Sequence, residues 1–177
     1  QTLRRFFGLS DEFIIGFVFR NQLRKSVPNL LEGFKIFKKE CPKAKLLLHT
    51  HWGEGWDIPR LMEEKNIDPR DVLTTYVCSS CGQYDIRPCT GQEQNCRFCG
   101  SEKTCNTTNP KNGVDEQQLN QIYNLMDVYC HPFTSGGMEI PIFEAKLTEL
   151  ITLVTNYSCG EDSCTAESGG FPLDWAE

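Results

Sequence analysis

Two cysteine pairs are the residues in this sequence best suited to chemistry. Cys78-Ser-Ser-Cys81 and Cys96-Arg-Phe-Cys99 are each followed by glycine, Gly82 and Gly100, and fourteen residues separate the pairs. A C-x-x-C turn presents two thiolates from one tight bend, and zinc takes four soft donors in a tetrahedron. The glycines relieve crowding where backbone wraps an ion. The spacing therefore points to a structural zinc site, with two disulfides as the alternative. Four thiolates leave zinc no open position, so a catalytic metal is not expected. Cys89 and Cys105 fall outside the pattern and read as a disulfide, a substitute ligand or plain thiols. Only Arg87, Arg97 and Lys103 lie nearby, which is thin for phosphate binding. The block reads as a rigid platform for a partner or acceptor, or as a stapled loop.

A second chemistry, anion binding, is written in two shorter segments. Arg20 follows the apolar run Phe13 to Phe19, and Lys25 comes five residues later. A guanidinium grips phosphate in a bidentate way, an ammonium adds a point charge, and a helix amino-terminus beside them offers N–H groups. Solvated surface cations are the plain alternative. The other segment is Pro132 to Ala145, where Gly136, Gly137, Met138, Glu139 and Ile140 lead into a helix bearing Glu144. Glycines allow close backbone approach to a ligand. Glu144 can accept from ribose hydroxyls, or merely suit the helix dipole. His49, His51 and His131 sit at strand ends as rim or core side chains, and His49 and His51 are also a minor candidate metal pair. Trp52 and Trp56 either stack on a base or sugar or pack locally.

These groups need a frame. Phe13 to Phe19 is a near-continuous apolar run, as in a strand buried on both faces. Further strands are expected at 45–49, 72–77, 128–130 and 151–154. Between them lie helical patterns. The first has Ser26 as cap and Pro28 in its opening turn, with an apolar stripe at Leu30, Leu31, Phe34, Ile36 and Phe37. Others are expected over 57–65, after Asp115, and over 140–147. Such alternation predicts parallel βαβ units and a Rossmann-like, doubly wound α/β sheet, whose ligands bind at the strands' carboxyl ends. The expected division is a nucleotide-sugar-binding domain of residues 1–77 and 112–177, with 78–111 inserted as a small zinc-ribbon-like module. Residues 158–177 read as loop.

Bulk properties narrow the classes. The chain has 177 residues, 39% of them hydrophobic, and a formal net charge of −6. That suits one domain with an insertion and argues against a broad nucleic-acid footprint. No apolar run is long enough for a membrane span, and no secretory signal is recognised. The first residue is Gln, which reads as a processed chain or a piece of a longer one. Ten cysteines, six of them between 78 and 105, point to metal in a reducing compartment, so the cytoplasm is expected.

Taken in order, the segments resemble a family. Leu9 to Arg20 with Lys25, Leu31 to Leu48, Val114 to Pro132, Ser135 to Ala145 and Leu147 to Asn156 are similar to the carboxyl-terminal domain of GT-B retaining glycosyltransferases of the "glycosyl transferases group 1" type. The resemblance covers most of the chain but not the cysteine block. It implies a nucleoside-diphosphate sugar as donor. Arg20 and Lys25 would hold its diphosphate and stabilise the leaving group, Glu144 its ribose, and the backbone around 138–140 its phosphate or sugar. It also implies a missing amino-terminal domain and an unknown acceptor. One departure stands out: the family has a second Glu eight positions before the first, and here that position is Gly136, with Glu139 out of register. The competing reading is a non-catalytic module whose zinc insert recognises a protein or nucleic acid.

Overall fold

The structure is a computed structural model that describes residues 2–90 and 94–174. Residues 91–93 of the cysteine block and 175–177 of the tail therefore lie outside the described residues. The chain opens with helix α1 (Thr2–Phe6) and strand β1 (Phe13–Val18). There follow helix α2 (Val27–Glu40), strand β2 (Ala44–His49), helix α3 (Ile58–Glu64) and strand β3 (Val72–Cys78). The cysteine block supplies β4 (Tyr84–Pro88) and β5 (Cys105–Thr107). Helix α4 (Glu116–Tyr123), strand β6 (Val128–His131), helix α5 (Ile140–Leu147), strand β7 (Ile151–Thr155) and strand β8 (Gly170–Leu173) complete it.

The strands form one sheet in the order β4-β3-β2-β1-β6-β7-β8. The six strands from β3 to β8 in that order run parallel. The chain thus builds outward from β1 to β3, then returns to β1's other side at β6. That reversal is a topological switch point, where the carboxyl ends of β1 and β6 leave a crevice. The doubly wound α/β expectation holds. The continuous apolar sequence of β1 matches a strand covered on both faces, with five of six residues buried, and every β3 residue is buried too, Thr74 and Thr75 included.

The helices start where local chemistry directs. Asp57 accepts from the Arg60 N–H and caps α3. Asp115 and Gln118 form a reciprocal capping box at α4. Ser26 does not cap α2 by its side chain. It sits in the left-handed region at φ 46°, joining the short turn Leu23–Lys25 to the helix. Pro28 does occupy the first turn.

One expectation changes, and the cysteine block proves to add strands to the sheet. The tail is not all loop, since β8 pairs with Thr152–Thr155 of β7. Proline is tolerated there because β8 is the last strand in the sheet's order, and an edge strand can spare one N–H. The cysteine block is continuous with the sheet: β4 pairs antiparallel with Leu73–Val77, and β5 with Tyr76–Cys78. Since β4 takes one side of β3 and β2 the other over Val72–Thr74, β5 extends the row that β2 leaves. Helix α1 closes the outer corner. Phe7 lies 5.5 Å from the Tyr84 ring and Phe6 stacks on Phe98 at 6.0 Å. Arg4 pairs with Asp127, fastening α1 to the entry of β6.

Candidate functional site

The segment after β1 and the loop after β6 meet at the switch point. Thr134 N–H donates to the Arg24 carbonyl at 2.8 Å, and an Arg24 guanidinium N–H donates to the Ser135 carbonyl at 2.8 Å. Between these backbones sits Glu139. Its carboxylate accepts from Arg24 at 2.6 Å and from the Lys25 ammonium, and lies 3.2 Å from His131 Nε2. Lys25 and His131 are buried, at 3% and 0% exposure. Glu139 is the amino-terminal cap position of α5, yet its side chain makes no capping bond. The carboxylate serves the cations instead.

Gly136 makes this possible. A Cβ there would lie 2.7 Å from a Glu139 carboxylate oxygen and 3.3 Å from an Arg24 nitrogen. A side chain at 136 and the carboxylate of residue 139 therefore compete for one space. The position where the resemblance expects Glu is Gly, and a carboxylate from three residues on fills the room.

The other expected residues are placed as follows. Arg20 is 69% exposed and pairs with Glu54 at 3.1 Å, on the loop after β2. Glu144, farther along α5, accepts from the Tyr123 hydroxyl at 2.8 Å. Gly136, Gly137, Met138 and Ile140 lie on the loop and helix start, with Met138 77% exposed. The structure thus joins Lys25 to Glu139. It sets Arg20 on Glu54 and Glu144 on Tyr123. Two residues the sequence did not single out, Arg24 and the buried Asn21, complete the group. Asn21 accepts from Trp56 N–H and donates to the Trp56 carbonyl, which ties the loop after β2 to the loop after β1. Trp56 also donates to the Leu23 carbonyl, and Trp52 to the Thr74 hydroxyl. Both indole N–H groups are thus engaged across the fold, Trp56 on the loop after β1 and Trp52 on β3. His49 bonds Thr75 at 2.9 Å.

Burial fixes the charge states. Burial pushes His131 down to about 4, so the ring is neutral near pH 7. Burial works against an ionised Glu139, but the Lys25 and Arg24 cations on its carboxylate overcome that and hold it far below the usual carboxylate range. Both effects make the fold acid-sensitive. An unfolded chain protonates His131 near 6.5, the folded one near 4. Stability is full above the first value and is lost as pH falls toward the second. At ~1.4 kcal/mol per unit, the loss from His131 is on the order of 3 kcal/mol. Melting temperature measured across this range should fall steeply. A flat profile would show that His131 takes a proton without penalty.

The cysteine block holds the second cluster. Cys78, Cys81, Cys96 and Cys99 place all four sulfurs within 4.8 Å of one another. The two turns repeat one geometry: Gly82 N–H bonds the Cys78 carbonyl and Gly100 N–H the Cys96 carbonyl, each at 2.9 Å. Both glycines take positive φ, 70° and 74°, as a turn around an ion needs. Sulfur separations are 3.8 Å for Cys78–Cys99 and 3.7 Å for Cys81–Cys96. Zinc–sulfur bonds of about 2.3 Å in a tetrahedron put sulfurs ~3.8 Å apart. A disulfide needs about 2.05 Å, so these separations suit an ion and not a covalent bond. The Thr104 hydroxyl at 3.2 Å lowers the Cys78 thiol toward the thiolate a metal takes, whereas burial and the neighbouring thiols push Cys81 up. The cluster can bind a metal. His49 and His51 are not in it. Cys105 lies beneath it against Cys96, its thiol pushed up to about 12 by burial.

No family model matches this sequence, and no curated protein does either. Solved structures do match. The carboxyl-terminal domain of a glycosyl transferase group 1 family protein, LpcC from Francisella tularensis, superposes with a TM-score of 0.64 at 10% identity, over 98% of this chain and 73% of that one. Staphylococcus aureus TarM, solved with UDP, gives 0.60 at 13% identity, over 92% of this chain and 25% of its own. An Escherichia coli protein described as trehalose-6-phosphate bound with UDP-2-fluoro glucose gives 0.60 at 14% identity, over 98% and 35%. The chain has the fold of the GT-B carboxyl-terminal domain. It spans a quarter to about a third of the last two proteins. Among the described residues no helix is long and apolar enough to cross a membrane.

Proposed function

We propose that this chain is the donor-binding domain of a retaining glycosyltransferase and holds a nucleoside-diphosphate sugar at the carboxyl ends of β1 and β6. The observation that carries the reading is a buried ammonium and a guanidinium converging on one loop at the switch point. In a fold whose solved examples include complexes with UDP, that is where a diphosphate would lie. In a retaining transfer the leaving diphosphate departs on the face the acceptor attacks, so charge stabilisation on that group is a main catalytic term. Lys25 supplies it, with Arg20 free at the surface to leave Glu54 and join. Arg24 adds a third cation. Glu144 receives the ribose, and Gly136, Gly137, Met138, Glu139 and Ile140 form the wall beside phosphate and sugar. Glu139 takes the place of the carboxylate missing at 136. Residues 78–111 form the metal-binding insertion in a domain of 1–77 and 112–177, with zinc as a structural ion. The acceptor side of the cleft belongs to a further domain or subunit.

Calorimetry with UDP, GDP and ADP tests the reading. One of the three should bind, and Lys25→Ala should weaken it by about ten- to a hundredfold, the worth of a charge-assisted hydrogen bond. Arg20→Ala should weaken it less, because Arg20 starts in solvent. If none of the three nucleotides binds the wild-type chain, there is no donor site here.

A further inference from the structure

Lysine has a long, flexible stem, and a diphosphate gains most from an ammonium already in place. What fixes Lys25 can be read from the hydrogen bonds beneath it. Tyr129 has one hydroxyl proton, and donates it to the Val18 carbonyl at 3.0 Å. A carbonyl has no proton to return. The 2.8 Å contact between the Tyr129 hydroxyl and His131 Nδ1 therefore requires the ring to donate. Nδ1 carries the proton. The ring is fully buried and packs edge-on against Phe17 at 4.9 Å and Phe133 at 5.6 Å, so it cannot turn over freely. A neutral ring with its proton on Nδ1 presents a bare lone pair at Nε2. Two groups face that lone pair: the Lys25 ammonium at 3.3 Å and Glu139 Oε2 at 3.2 Å. Only the ammonium can donate to it. Because Lys25 also donates to Glu139, it lies between two acceptors that would otherwise repel.

We propose that His131 is a positioning residue, whose neutral Nδ1-protonated ring holds the Lys25 ammonium through Nε2 and keeps it at the diphosphate subsite when an incoming phosphate displaces Glu139. The inference rests on the donor-binding reading above. The order Val18 carbonyl, Tyr129, His131, Lys25 runs one way, each group donating toward Val18. The sheet backbone thus sets the direction of a cation at the surface of the crevice.

Nitrogen-15 NMR of the His131 ring in the wild-type chain is the first test. A protonated Nδ1 and a bare Nε2 near pH 7 are expected. The opposite tautomer, or a doubly protonated ring, overturns the proposal whatever any variant does. The second test titrates inorganic pyrophosphate into His131→Gln, whose carbonyl can accept from Lys25, and His131→Leu, which has no acceptor. Gln should stay within about threefold of wild type and Leu should lose about tenfold or more. Equal affinity in both variants overturns it. Lys25→Ala separates the two levels: pyrophosphate binding unchanged in that variant would remove the donor reading itself. Loss in Lys25→Ala without loss in His131→Leu would remove only the role given to His131.

Discussion

Glu139→Ala is expected to cost the fold about 3–5 kcal/mol, the usual penalty for leaving one member of a buried ion pair without its partner. Lys25 is 3% exposed and Glu139 7%, so water cannot take over the carboxylate's role. Arg24, 38% exposed, would then stand as a second cation beside an uncompensated ammonium. The variant should recover when a diphosphate is added, because the ligand returns the missing negative charge. Its melting temperature should rise more with UDP or pyrophosphate than that of the wild type, by mass action at about 1.4 kcal/mol for each tenfold excess over Kd. Thermal shift with and without ligand measures both effects. If Glu139→Ala melts with the wild type, the ion pair does not hold the site. If it is destabilised but gains no more from ligand than the wild type does, the anion enters elsewhere.

Metal removal should have the other large effect. The purified chain is expected to carry about one zinc, and a strong chelator or Cys96→Ser should abolish it. Structural zinc contributes about 10–16 kcal/mol in small zinc-finger peptides. Here the loss should be several kcal/mol, because β1, β2 and β3 have a large core of their own, whereas Cys96 and Cys105 belong to a separate small cluster with Tyr76 and Cys78. Hydrogen exchange should accelerate in β4, β5 and α1 and much less in β1. Helix α1 belongs in that set because Arg97 of the second knuckle lies over the Phe6 ring at 4.7 Å and bonds Asp85 of β4 at 2.8 Å. Cys105→Ser should keep its metal, since that sulfur lies outside the four. A metal-free protein with unchanged exchange would remove the zinc proposal.

Much of the frame was legible because it is periodic. The strands at β1, β2, β3, β6 and β7 are apolar runs, and Asp57 and Asp115 mark helix starts by side-chain chemistry that acts over three residues. What was hidden depends on distance. Strands β4, β5 and β8 are short, and take their form from a neighbour already in the sheet. Phe171 and Pro172 in β8 are both exposed, so the strand carries no buried-and-exposed alternation to read. The two cysteine turns were legible as a metal pattern because ligand spacing is local. The pairing of Lys25 with Glu139 was not, as they lie 114 positions apart. Arg24 adjoins Lys25 and nothing in the sequence tells which basic side chain turns inward. The part Gly136 plays is visible only when the Glu139 carboxylate is seen beside it.

Cys78 is both the last residue of β3 and a sulfur of the cluster. Side chains alternate faces along a strand, so sliding β3 by one residue against its neighbours would turn that sulfur to the wrong side. A bound ion would therefore act as a pin on strand alignment. It would add, at the far end of the strand, to the register that the Thr74 and Thr75 hydroxyls set through Trp52, Leu48 and His49.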